Sequence, residues 1–167
     1  MEAPKPFIPL KKKDFQIDLN KGNANLSICC SNNSISFILN HKNINNECLK
    51  FEKTFTFEEL NKISKWFRIF DSLEEVYNDI IKLMENKQIN ISLEENVAKL
   101  VFNINMEKIK EFDIFLEKRE LTKDELINNL INENKELKIK VNSLEKRINS
   151  LEEKFNAFEK KSQQKKK

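Results

Sequence analysis

The chain has 167 residues and a formal net charge of only +3, from 30 basic and 27 acidic side chains. Residues 1–120 carry 18 basic and 19 acidic side chains, so this stretch lacks the basic surplus of a nucleic-acid-binding fold. The positive excess falls late, in Lys160, Lys161, Lys165, Lys166 and Lys167, and no apolar run reaches the ~18 residues of a membrane span.

Residues 1–13 are proline-rich and then basic, which reads as a flexible arm; they hold no apolar stretch of the kind a secretory leader needs. Short alternating segments follow. Phe15, Ile17 and Leu19 form one set, then Leu26, Ile28 and Cys30, then Ile35, Phe37 and Leu39, then Leu49, Phe51 and Phe55. A period of two puts each set on one face of a half-buried strand. The connections at Asn20–Asn23, Ser31–Asn33 and His41–Asn46 are rich in turn residues.

The period changes at Thr56. Thr56-Phe-Glu-Glu59 and Ser72-Leu-Glu-Glu75 are capping boxes, in which the hydroxyl takes a backbone amide and the glutamate reaches back. Leu60, Ile63, Phe67 and Phe70 repeat at helical spacing, as do Leu73, Val76, Tyr77, Ile80, Ile81 and Met84. A helix pair is therefore predicted over residues 57–86, broken near Asp71. Alternation returns with Ile89, Ile91 and Leu93, turns at Glu94–Asn96, and continues through Leu100, Phe102, Ile104 and Met106, then Phe112, Ile114 and Leu116. Residues 14–120 are thus one β-rich head. Seven short strands suggest a β-sandwich or a curled antiparallel sheet; an α+β layer with fewer strands is the alternative.

A third capping box, Thr122-Lys-Asp-Glu125, opens a helix predicted to form a coiled coil over residues 121–159, followed by a basic tail at 160–167. From Ile127 a heptad runs to Phe158. Position a reads Ile127, Asn134, Val141, Ile148 and Phe155, and position d reads Leu130, Leu137, Leu144, Leu151 and Phe158. β-Branched residues at a with leucine at d favour a parallel two-stranded coil, and one polar a residue, Asn134, penalises shifted registers. In such a dimer each g residue faces the e residue five positions later on the other chain. Those pairs are Glu133 with Lys138, Lys140 with Glu145, Arg147 with Glu152 and Lys154 with Glu159, all opposite in sign. The other reading is a lone amphipathic helix folded onto the head.

This order of elements resembles the scaffold superfamily that includes the centriolar cartwheel protein and the DNA end-joining scaffold proteins. Its members have a β-sandwich head of about seven strands, a helix pair after the fourth, and a parallel coiled coil after the last. The resemblance implies an assembly protein. In the cartwheel branch heads also meet through an apolar residue on the loop between the last two strands, and the matching stretch here, Met106-Glu-Lys-Ile109, makes Ile109 the candidate head–head contact.

No catalytic set is visible: there is no Gly-rich phosphate loop, no GxSxG elbow and no HExxH pair. Glu58-Glu59 and Glu74-Glu75 are explained by helix first turns, Glu94-Glu95 by a hairpin tip and Glu152-Glu153 by the outer face of the coil. Cys29, Cys30 and Cys48 are odd in number, which argues for structural thiols, and His41, the sole histidine, lacks the company a zinc site needs. No enzyme activity, cofactor, metal or membrane contact is expected. The fold class expected is α+β, a seven-stranded antiparallel β-sandwich-like head with an inserted helix pair, followed by a parallel dimeric coiled coil. The function expected is an intracellular homodimeric scaffold of cytoskeletal, centriolar or ciliary type, or a nuclear repair scaffold, docking other assembly proteins. The alternative is an adaptor that binds nucleic acid or microtubules through its basic tails; those lysines also read simply as a solvated helix end.

Overall fold

The computed structural model describes residues 10–19, 22–43 and 47–164, with side chains as far as residue 158. The expected arm up to Pro9 and the tail residues Lys165, Lys166 and Lys167 lie outside the described residues. Two compact units divide the chain, residues 1–120 and residues 121–167.

The first unit is built on seven strands: β1 Lys11–Leu19, β2 Gly22–Cys30, β3 Ile35–Asn43, β4 Cys48–Phe55, β5 Ile89–Leu93, β6 Val97–Met106 and β7 Ile109–Arg119. All neighbours pair antiparallel, in the order β1-β2-β3-β4-β7-β6-β5. Hydrogen bonding therefore decides between the two forms that the alternation leaves open: the strands make one sheet. The link between its halves is short, with Lys50, Phe51 and Glu52 of β4 opposite Arg119, Lys118 and Glu117 of β7. The sheet curls. Phe37 on β3 and Phe102 on β6 are three strands apart, a separation of roughly 14 Å in a flat sheet, yet their ring centroids lie 6.4 Å apart.

The inward rows are the alternating sets. Leu26, Ile28, Ile35, Phe37, Leu39, Leu100, Phe102, Ile114 and Leu116 are all fully buried. Phe112 is the hub of an aromatic cluster, stacked on Phe102 at 4.8 Å and on Trp66 at 5.0 Å, with Phe67 edge-on at 4.8 Å. Gly22, the only glycine, stands where no other residue fits, with φ +131° and a would-be Cβ 2.2 Å from the Lys42 carbonyl oxygen.

Between β4 and β5 lie α1 (Phe57–Ile63), a 3-10 turn (Lys65–Ile69) and α2 (Leu73–Glu85). The Thr56 capping box is complete, and Ser72 caps α2 without the full reciprocal bond. Glu59 N–H donates to Thr56 Oγ1 at 3.3 Å while Thr56 N–H donates to Glu59 Oε2 at 2.8 Å. At α2 the return bond goes one residue further out, from Asp71 N–H to Glu75 Oε2 at 2.9 Å. The helix predicted through Phe70 instead stops at Ile63, because extended Ser64 caps the 3-10 turn by accepting the Trp66 amide at 3.2 Å. That break turns Trp66 and Phe67 together into the core and leaves Ile63 and Ile69 exposed.

Two further expectations are corrected. β1 begins at Lys11, so the last residues of the expected arm, Lys11–Lys13, pair with Ile28–Cys30 of β2. His41 is not in a turn: β3 continues to Asn43, placing His41 on its inner face, 4% exposed, with Nδ1 lacking a hydrogen-bond partner.

Cys29 and Cys30 are both buried and, being adjacent in a strand, face opposite sides; the Cys30 thiol lies 3.8 Å from the Leu73 carbonyl oxygen. Burial pushes both thiols above their ordinary pKa, since the thiolate is poorly solvated there. A raised pKa means less thiolate at any given pH. Alkylation of native protein at pH 8 should therefore modify the half-exposed Cys48 first. Cys29 and Cys30 should react at least about tenfold more slowly, becoming equal to Cys48 in denaturant. Peptide mass mapping over time reads this directly, and equal native rates would contradict it.

Candidate dimerisation interface

The second unit is one helix, α3, Lys123–Gln164, of 42 residues. At ~1.5 Å per residue it is roughly 63 Å long. Its start is set locally. Glu125 N–H donates to Thr122 Oγ1 at 3.3 Å and Thr122 N–H donates to Glu125 Oε2 at 2.9 Å, and Asp124 and Glu125 place negative charge against the positive end of the helix dipole. The helix continues beyond residue 159, so Lys160 and Lys161 are helical residues.

The a and d residues form one apolar stripe. Ile127, Leu130, Leu137, Val141, Leu144, Ile148, Leu151, Phe155 and Phe158 are between 51% and 70% exposed, and Asn134 is exposed among them. A single surface helix in water does not keep nine large apolar side chains half in solvent without something to cover them. The flanking residues Lys138, Lys140, Glu145, Arg147, Glu152 and Lys154 are exposed on either side of the stripe, with Glu133 half-exposed. The heptad also holds an apolar g–e pair beside the four charged ones, which charge pairing alone does not reveal. Leu126 at g and Ile131 at e, 46% and 45% exposed, are five positions apart and so obey the same rule as the charged pairs. Ile139, at position f, is 68% exposed and nothing in the structure explains it.

In the head, Ile109 is half-buried and packs against the core, while Met106 across the two-residue turn is 44% exposed. The hairpin thus presents Met106 more openly than Ile109, because a register shift between Asn103 and Met106 takes Met106 out of the inward row. A shallow groove of about 500 Å³ lies elsewhere on the head, lined by Lys53, Phe55, Ile63, Glu111, Phe112, Asp113 and Phe115. Two of its three charged groups are already committed: Lys53 pairs with Glu117 at 2.6 Å, and Asp113 with Lys99 at 2.7 Å. Lys99 also lies 5.7 Å from the centre of the exposed Phe115 ring. Among the described residues no group of three or more His, Cys, Asp or Glu could hold a metal ion, and no helix is long and apolar enough to cross a membrane.

No family model matches the chain, and no curated protein matches it by sequence. Among solved structures it is similar to the N-terminal coiled-coil dimer of C. elegans SAS-6, at 18% identity, over 81% of this chain and 93% of that one, with a TM-score of 0.55. At this identity the likeness concerns the fold alone, that of an α+β unit with a curled seven-stranded antiparallel sheet followed by a long C-terminal helix.

Proposed function

We propose that this chain is a non-enzymatic homodimeric scaffold, in which α3 of two copies pairs as a parallel, in-register coiled coil and the paired heads dock other assembly proteins. The observation that carries the reading is the exposed a/d stripe from Ile127 to Phe158. A second copy covers it, with Asn134 opposite the partner's Asn134, and the g and e charges are opposite in sign at every pair from Glu133–Lys138 to Lys154–Glu159. Exposed pairs are individually weak, so their agreement selects orientation and register more than it adds stability. The fold likeness to the SAS-6 coiled-coil dimer supports a cytoskeletal, centriolar or ciliary setting over a DNA-repair one. The Met106–Ile109 hairpin is the place to look for contact between heads. Light scattering tests the reading: a chain of 19.9 kDa should have twice that mass at micromolar concentration, and a monomer would refute it.

A second reading, an adaptor that holds nucleic acid or microtubules through its tails, is favoured by the lysines at 160–161 and 165–167, which dimerisation would double in valency. Binding of that kind weakens steeply with salt. Deleting residues 160–167 should abolish it while leaving the dimer mass intact, as read by co-sedimentation or fluorescence anisotropy across a salt series. Binding that survives both the deletion and high salt removes this reading.

A further inference from the structure

The two edges of the sheet are built differently. β1 carries Lys11, Lys12, Lys13 and Asp14, all exposed, a run of charge that discourages another strand from pairing there. β5, Ile89–Leu93, has no charge, no proline and no bulge. Its pairing with β6 fixes which backbone groups are free. Asn103 N–H donates to the Gln88 carbonyl at 2.8 Å and Glu94 N–H to the Val97 carbonyl at 2.8 Å. The even-numbered residues therefore face β6, and the N–H and C=O groups of Ile89, Ile91 and Leu93 point to the open edge. The side chains of these three residues are half-buried against the core, so the edge continues an apolar inner row.

We propose that β5 is a docking edge for β5 of a second copy, the two strands pairing antiparallel about a two-fold axis at Ile91. Ile91 then lies opposite the partner's Ile91 and Ile89 opposite the partner's Leu93, which matches outward-facing residues with outward-facing residues. The strand ends select this orientation. Lys87 precedes β5, and Glu94 and Glu95 follow it. Antiparallel pairing sets Lys87 beside the partner's Glu95, whereas parallel pairing sets like charges together. Strand addition of this kind takes its affinity from main-chain hydrogen bonds and its specificity from alternate side chains. A five-residue strand makes a small interface, so the association is weak and concentration-dependent. This inference does not rest on the coiled coil. Where both two-fold contacts form on one chain, they generate assemblies larger than a dimer.

The test uses full-length Leu144→Asp protein, in which the coil cannot contribute, and follows amide hydrogen exchange by NMR from micromolar to millimolar concentration. The amides of Ile89, Ile91 and Leu93 should gain protection with concentration, while those of Asn90 and Ser92, already bonded to β6, should not change. Ile91→Pro, which removes an outward-pointing N–H along with the half-buried isoleucine side chain, should abolish the gain, and Ile91→Ala, which keeps the N–H, separates the two effects. Glu95→Lys should reduce it, and Lys87→Glu with Glu95→Lys should restore it; this charge exchange decides the matter if the proline variant misfolds. Exchange at Ile89, Ile91 and Leu93 that is independent of concentration, or a gain lacking the alternation, overturns the proposal. A monomeric wild-type chain would instead count against the coil and leave the β5 result standing on its own.

Discussion

Leu144→Asp should convert the proposed coiled-coil dimer to a monomer at micromolar concentration, with the head still folded. Leu144 sits at the middle d position and is 54% exposed on the single helix. Burying a leucine side chain against a second copy is worth about 1.5–3 kcal/mol, and symmetry applies the gain twice. An aspartate there forfeits both gains and sets two carboxylates against each other in an apolar layer, where an unpaired charge is strongly disfavoured. A loss of at least ~4 kcal/mol weakens association by roughly a thousandfold. Light scattering should therefore fall from twice 19.9 kDa to that mass, while the near-ultraviolet dichroism of Trp66, which belongs to the head core, stays unchanged. A variant that keeps the double mass places the association outside the a/d stripe. Glu145→Lys, at the neighbouring e position, should weaken pairing far less, because exposed charge pairs contribute little.

Phe102→Ala should have the opposite signature: the head unfolds early while α3 and its proposed pairing are untouched. Phe102 is fully buried, stacks on Phe112 with an interplanar angle of 13°, and meets Phe37 across the curl of the sheet. It is therefore one of the side chains through which the two halves of the sheet touch, where their backbones are joined only by the three β4–β7 residue pairs. Truncating a buried phenylalanine costs about 3–5 kcal/mol. That is a large share of the ~5–15 kcal/mol that holds a domain together. Urea unfolding followed by Trp66 fluorescence should show a lower midpoint, with the thermal transition of the head lowered by roughly 10 °C or more. The mass at low urea should remain that of the dimer. A midpoint within error of wild type would mean that the ring contacts do not support the curl.

The elements that the residues determined by themselves are those whose signals are local. A capping box needs only four consecutive residues, so Thr56, Ser72 and Thr122 mark helix starts that the structure reproduces. Alternation is a period of two along one strand, so the inward rows of the strands were legible, as was the apolar stripe of α3, whose spacing follows from helix geometry. Tertiary structure decided the rest, because it depends on residues far apart in the chain. Nothing near Phe51 announces that it will lie opposite Lys118, yet that pairing makes one curled sheet out of two sets of strands. The 3-10 turn at Lys65–Ile69 interrupts a good helical stripe because Trp66 and Phe67 both find Phe112, on the last strand. His41 sits among turn-forming neighbours in sequence but is drawn into β3 by pairing with Ala24 on one side and Leu49 on the other. The open edge at β5 is likewise invisible in its five residues. A strand becomes an edge only when the order of the whole sheet places no neighbour beside it, and only then do its outward amides become available to another chain.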